Sequence, residues 1–551
     1  MNVARFVMTW LLSVSVISCT KEPGSDSQTK PADATASTPL FDDLGSHHHA
    51  VTTSSEMAQR YFDQGLRLVY GFNHDEAERA FREAGRIDPN CAMAWWGVAY
   101  ALGPNYNLPM DPGRNGRALE AIQKAQSLQS NAREAERAYI VALATRYSAG
   151  SNADRAKLDR SYGDAMKELS RRYPDDNDAA VLYAESLMDL KPWQLWTHDG
   201  KPQEGTEEIL KVLEAVLARD PNHPGANHYY IHAIEASPHP EKGAAAAERL
   251  KSLVPGAGHL VHMPAHIFIR TGDYAGAIDA NAKAAGADEA YFARTKVDGA
   301  YPLMYYTHNF QFLSAAAGML GQSGRAVDSA AKAVSNVARM AGHDPMVEYV
   351  LPWSLYAMAR CARWDDILAY AQPADSTPAT LALWHYARGL AYLGKADAGA
   401  ARKERKDFGA AKAKVPAGLM LNTNRAQDLL AIATAVFDAR LAGVAGDGTS
   451  AIRYWTNAVE IQDGLIYDEP PAWYYPVRES LGGEYLRTRQ YAEAEKVFRR
   501  DLEMNPNNPR SLFGLREALK AQAKNAEAEK VNTRFQKEWQ NSDVHISVAT
   551  L

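Results

Sequence analysis

The residues in this chain best suited to chemistry are histidines, and they are concentrated in one stretch. Six of the 16 lie in the two apolar helical patterns of residues 222–270 and the approach to them: His223, His228, His232, His259, His262 and His266. His228, His232 and Glu235 are spaced i, i+4, i+7, and His259, His262 and His266 are spaced i, i+3, i+7. At the helical period each set shares one face. Neutral imidazoles with a carboxylate suit a transition metal such as zinc, copper, nickel or iron. Three readings stay open on these residues. One is a metal site built from His228, His232, Glu235, His259, His262 and His266, with His308 as an outer contact. The second is a binding or scaffold module that presents a His-rich polar groove to a peptide, protein or small ligand. The third is a hydrogen-bonded network inside tight helix packing. A metal site would serve an enzyme if one coordination position stays open, and a carrier if protein atoms fill the shell.

No known catalytic motif accompanies them. The chain has no His-Glu-x-x-His, no Gly-x-Ser-x-Gly, no phosphate-binding loop and no haem-attachment motif. Metal-dependent activity is therefore the one enzymatic reading these residues support. His47, His48 and His49 could cap the groove end or bind metal, but read rather as a flexible polar run, and His74 as a local hydrogen-bond partner in a turn. Trp193 and Trp196 lie in an insertion that covers the site or packs beneath it.

The elements that must carry these faces repeat. Tyr61, Gly65, Leu68, Ala77, Phe81, Ala84 and Pro89 occupy positions 4, 8, 11, 20, 24, 27 and 32 of one unit. Small residues at 8, 20 and 27 let two antiparallel helices approach, large ones fill the seam, and proline ends the second helix. Gly482, Tyr485, Ala494, Phe498 and Pro506 restate the pattern near the other end. This resembles the tetratricopeptide repeat (TPR), over nearly all of residues 55–540. Phrases such as Tyr61-Phe62-Asp63-Gln64-Gly65-Leu66 and Trp473-Tyr474-Tyr475-Pro476 are similar to a bacterial subfamily of such proteins. The resemblance implies an all-α, right-handed solenoid of about ten helix pairs with a concave groove. Positions 2, 5, 9, 12 and 13 of first helices face that groove in the family. Both histidine triplets would then line it, with Trp96, Tyr100, Asn105, Asn107, Glu185, Asp189, His308 and Gln311 as further lining. Residues 340–375 and 380–412 fit the repeat less well, and 407–422 reads as a loop.

The ends carry other information. Arg5 and the apolar run 6–17 form a targeting segment too short to span a bilayer comfortably. Val16-Ile17-Ser18-Cys19 resembles a bacterial lipobox, which implies lipidation at Cys19. Thr20 then implies outer-membrane rather than inner-membrane retention, facing the periplasm. The expected organisation is a lipoprotein signal peptide (1–18), a disordered tether (19–45), a TPR-like solenoid (46–541) and a C-terminal tail (542–551). Membrane contact would be through the lipid alone. A net charge of −6 without a long basic tract gives no reason to expect nucleic acid. Cys91 and Cys361 read as separate buried thiols.

Overall fold

The computed structural model describes residues 38–150, 154–295, 297, 299–338, 345–373 and 376–551. The signal-peptide and lipobox residues, and the tether as far as residue 37, lie outside them. Pro39–Leu551 forms one compact unit.

The described elements are 26 α-helices with short 3-10 turns and one two-stranded ribbon, Met420–Leu421 against Asn424–Arg425. Two helical arms are each broken into two helices, so the array is twelve antiparallel pairs, from Glu56–Tyr70 with His74–Ile87 to Pro509–Ala521 with Asn525–Trp539. The expected all-α, TPR-like solenoid is the observed fold. Side-chain oxygens stop the helices from fraying at their starts: Ser55, Asn73, Asp176 and Asp397 each accept an N–H of the first turn.

The glycines of the repeat have a direct packing reason. A Cβ on Gly65 or on Gly97 would lie 2.6 or 2.3 Å from the Phe81 ring, which is wedged between two successive first helices. Gly482 and Gly514 flank Phe498 in the same way, at 2.5 and 2.1 Å. The aromatic at position 24 can sit in the seam only because both neighbours lack a side chain.

Several expectations need correction. Residues 407–412 belong to the helix Ala398–Lys412, and the ribbon begins only at Met420. His74 is the first residue of a helix, not part of a turn, and is buried. The tether does not extend to residue 45, because Phe41 and Leu44 are buried and the Phe41 amide donates to Gln64 Oε1 at 2.8 Å. His47, His48 and His49 are not a free run. His47 and His49 contact the two oxygens of Asp178 at 2.9 and 2.7 Å, and His48 contacts Asp63 at 2.8 Å. The C-terminal tail also packs. Asp543 caps the helix Ser323–Val337 through the Ser323 amide, and Leu551 is buried against Gly483. Cys91 and Cys361 are free and buried, as expected.

Candidate metal centre

Two first arms carry the histidines. The helix Pro224–Glu235 starts at His223, whose Nδ1 accepts the Ala226 N–H, with Pro224 preset for the first turn. Every residue of this helix is buried. The second arm is broken: Gly258–His262 is followed by Pro264–Thr271. Pro264 lacks the N–H that would continue the helix. The break leaves His262 and His266 one turn apart, with their Nε2 atoms 2.8 Å from each other.

The groove expectation fails in one respect. His228, His232, Glu235, His259, His262 and His266 are all at most 2 % exposed. They are enclosed between neighbouring pairs, not spread along a partly solvated face. Ring-to-ring contacts link them: His228 to His232 at 4.8 Å, His259 to His262 at 5.7 Å, and His232 to His266 at 5.6 Å. His308, from the helix Ala300–Met319, joins at 4.9 Å from His262. Two triads have ligand atoms mutually within 4.8 Å: His228, His232 and His259, and His262, His266 and His308.

The outward nitrogen of four of these rings is held in a way that fixes where the proton sits. His228 Nδ1 lies 2.6 Å from the Tyr70 carbonyl, which can only accept. His262 Nδ1 lies 2.7 Å from Asn281 Oδ1, whose amide is oriented because its Nδ2 donates to the Ala277 carbonyl at 2.7 Å. His232 Nδ1 and His266 Nδ1 face the two oxygens of Glu235, His232 at 2.9 Å. Each Nδ1 therefore carries hydrogen, and the neutral rings of His228, His232 and His262 turn an Nε2 lone pair inward, as His266 does when it is not charged by Glu235. His232 Nε2 is buried with no hydrogen-bond partner among the described residues. His228 Nε2 faces His259 Nε2 at 3.1 Å. The His259 Nδ1 is buried with no hydrogen-bond partner among the described residues, so the His259 Nε2 either donates to His228 or turns a second lone pair toward it, an arrangement that suits a shared cation.

Glu235 is placed differently from the sequence expectation. It orients one histidine of each triad through Nδ1, leaving Nε2 for a ligand bond, which is the usual second-sphere role of a carboxylate.

Burial, then the neighbouring imidazoles, pushes His228, His259 and His262 well below the ordinary histidine value. Burial and nearby His266 bring His308 to about 3. Burial also lowers His232, against the pull of Glu235. His266 is the exception: burial opposes its charge, but the Glu235 carboxylate outweighs that and raises it. Burial alone would raise Glu235, yet His266 and His232 bring it to about 2.

The cluster around Asp178 offers an instructive contrast. His223 accepts the Ala226 N–H on Nδ1, so its Nε2 carries the proton toward Asp178 Oδ1 at 3.2 Å. Burial opposes the Asp178 charge, but His47, His223 and His49 hold its carboxyl well below the usual range. Here protons already fill the space that lone pairs leave open in the two triads. His47, His49 and His223 act as clamps on the N-terminal segment.

The remaining lining residues separate into two groups. Trp96 stacks on Tyr100, Tyr100 contacts Glu185, and Asp189 pairs with Arg146. These four expected groove residues are packed inside the solenoid, as is Asn105. Asn107, His308 and Gln311 instead line a cavity of about 440 Å³ beside the second triad. Trp193 lines it too, and packs edge-on to His232. Trp196 packs beneath, donating to the Ala233 carbonyl at 2.8 Å.

Sequence reasoning missed Phe72, Tyr106 and Tyr305, whose rings pack on His228, His232 and His259. It also missed Asn281, although a lone amide in an Ala-rich helix was a usable signal. Asp468 and Glu469, which also line the cavity, lie about 160 residues beyond His308 in the chain and carried no signal.

No family model matches this chain, and no curated protein matches it. Similar solved structures include a human IFIT1 dimer with m7Gppp-AAAA, 12% identical over 81% of this chain and 90% of that one, with a TM-score of 0.32. Yeast Tom70 is 11% identical over 88% of this chain and 91% of its own, with a TM-score of 0.28. Likenesses at this level carry no argument about what this solenoid binds. The class of protein is defined by the fold itself, a TPR-like solenoid.

Proposed function

We propose that this chain is a metal-binding solenoid that holds two transition-metal ions, one at His228, His232 and His259 and one at His262, His266 and His308. The observation that carries the proposal is the set of inward Nε2 lone pairs whose tautomers are fixed from outside by the Tyr70 carbonyl, Glu235 and Asn281. An all-imidazole donor set suits copper, zinc, nickel or iron and disfavours magnesium and calcium. Elemental analysis of protein purified without a tag and without chelator tests it. Two ions per chain are expected. No metal, with no thermal shift on adding zinc, copper, nickel or iron, would overturn it.

A second reading has its own observation. Glu235 raises His266, so a doubly protonated His266 could donate from Nε2 to His262 and serve as the cation. In that case the histidines are a structural network. The same elemental analysis separates the two.

The finer location is proposed on the N-terminal residues alone: a lipid on Cys19 tethers the solenoid to the outer membrane, facing the periplasm. No described helix is long and apolar enough to cross a membrane. Cys19→Ala should release the protein from membranes, and unchanged membrane retention would remove the lipid anchor.

A further inference from the structure

The cavity beside His308 contains polar atoms that no packing argument explains. Asp468 Oδ2, Glu469 Oε2 and Gln311 Nε2 are buried and have no hydrogen-bond partner among the described residues. Asp468, Glu469 and Gln311 are 6 %, 4 % and 4 % exposed. Buried polar groups left unpaired are costly, so three around one space point to a missing partner.

The two carboxylates are not loose. Asn422 Nδ2 donates to Asp468 Oδ1 at 2.6 Å, and the Tyr467 hydroxyl donates to Glu469 Oε1 at 2.5 Å. Each carboxylate is oriented through one oxygen and keeps the other free. Among the described residues, no lysine or arginine lines the cavity. The rest of the lining is largely apolar, with Leu303, Met304, Val347, Val350 and Tyr349, whose hydroxyl donates to the Pro470 carbonyl at 3.4 Å. Burial pushes the Asp468 carboxyl up to about 8 and the Glu469 carboxyl up to about 7, and a cation between them favours their charged forms. The space therefore offers two acidic groups and one amide donor together with hydrocarbon and aromatic surface. A purely apolar molecule would leave all three polar atoms bare.

We propose that this cavity binds a small organic amine, with its ammonium between Asp468 and Glu469 and an apolar or aromatic body against Leu303, Met304 and Tyr349. A volume of about 440 Å³ lies within the ordinary range of small-molecule sites. The site adjoins the histidine triads in two places. His308 lines the cavity and packs on His262, and Tyr305 lines it and packs on His259 at 4.6 Å. A bound amine would sit against both triads. That it is the molecule on which the metal acts rests on the metal reading above. That it binds does not.

The test is calorimetric titration of the full chain, metal-free and metal-loaded, with phenethylamine, 2-phenylethanol and phenylacetate. The amine should bind about tenfold or more tightly than the alcohol, because the alcohol lacks the charge-assisted hydrogen bonds, and phenylacetate should bind worst. Asp468→Asn and Glu469→Gln should each weaken the amine by about tenfold, with metal content and melting temperature unchanged. An amine that binds no better than the alcohol overturns the proposal, as do folded variants that bind it like the parent. If a variant fails to fold, the comparison of amine with alcohol on the parent chain decides. Amine binding to a chain that takes up no metal would sink the metal reading alone; two ions without amine preference would sink only this one.

Discussion

At the scale of single residues, the tautomer assignments make the histidines unequal. His232 and His262 each place an Nε2 lone pair in a different triad while being held by a different acceptor, Glu235 and Asn281. His232→Ala and His262→Ala should each remove one of the two metal ions, read by elemental analysis. Because both rings are buried, each change should also cost the metal-free protein about 1–3 kcal/mol, as it leaves a buried acceptor without its donor. A variant that keeps both ions would show that its ring is not a ligand. Proton linkage gives a second expectation at this scale. His228, His259, His262 and His308 titrate below their unfolded value of 6.5, His308 at about 3. Between those limits the unfolded chain takes up protons that the folded chain refuses. These imidazoles therefore withdraw stability from the metal-free protein as the pH falls below about 6.5 and on toward 3. The buried carboxyls of Asp288, Glu469 and Asp501, pushed up to about 7, and of Asp468, pushed up to about 8, act in the opposite sense as the pH falls to 4, so the imidazole contribution is read by difference. Between pH 7 and pH 4 the parent should lose more in melting temperature than His308→Gln. Equal losses would mean that His308 is free to charge in place.

At the scale of elements, the broken arm Gly258–Thr271 sets the second triad against the first. Gly258 lets this arm approach the next helix: a Cβ there would lie 2.1 Å from Asp288 Oδ1. Asp288 cannot swing aside freely, since Tyr301 and Asn309 donate to it at 3.0 and 2.8 Å. Burial pushes its carboxyl up to about 7. Gly258→Ala should push the arm outward, carry His259 away from His228, and cost about 1–3 kcal/mol through overpacking. Metal affinity should fall while far-ultraviolet circular dichroism stays helical. Unchanged affinity would show that the arm tolerates the shift.

At the scale of the whole molecule, the solenoid folds back on itself. Arg510 donates to the Arg360 carbonyl at 2.9 Å, and the Asp543 amide donates to the Gly321 carbonyl at 3.1 Å. A Cβ on Gly272 would lie 2.1 Å from the Pro506 carbonyl oxygen. The last pairs thus brace the middle ones, where the segment bearing Asp468 and Glu469 closes the cavity. Ending the chain after Asn541 removes Asp543 from the helix start at Ser323 and Leu551 from its buried site. The melting temperature should drop by several degrees, with metal content retained, because the histidine arms lie in other pairs. A truncated chain that melts like the full one would show that the tail contributes no bracing.

The repeat period, the capping residues and the small–large alternation around Phe81 and Phe498 were local enough to read directly. They decided the fold class, the pairing of helices and which residues share a helix face. A 3.6-residue period places His228 beside His232 whatever surrounds them. What that face meets is set by chain segments far away in sequence. Burial of the triads depends on Phe72, Tyr106 and Tyr305, and the proton positions depend on the Tyr70 carbonyl and on Asn281. The acidic lining of the cavity arrives from Asp468 and Glu469, brought in when the later pairs curl against the middle of the array. Local spacing dictates a helix face, because backbone geometry is the same everywhere. Whether that face becomes an open groove or a closed chamber depends on how successive pairs stack, and stacking is a sum of long-range contacts that no short stretch encodes.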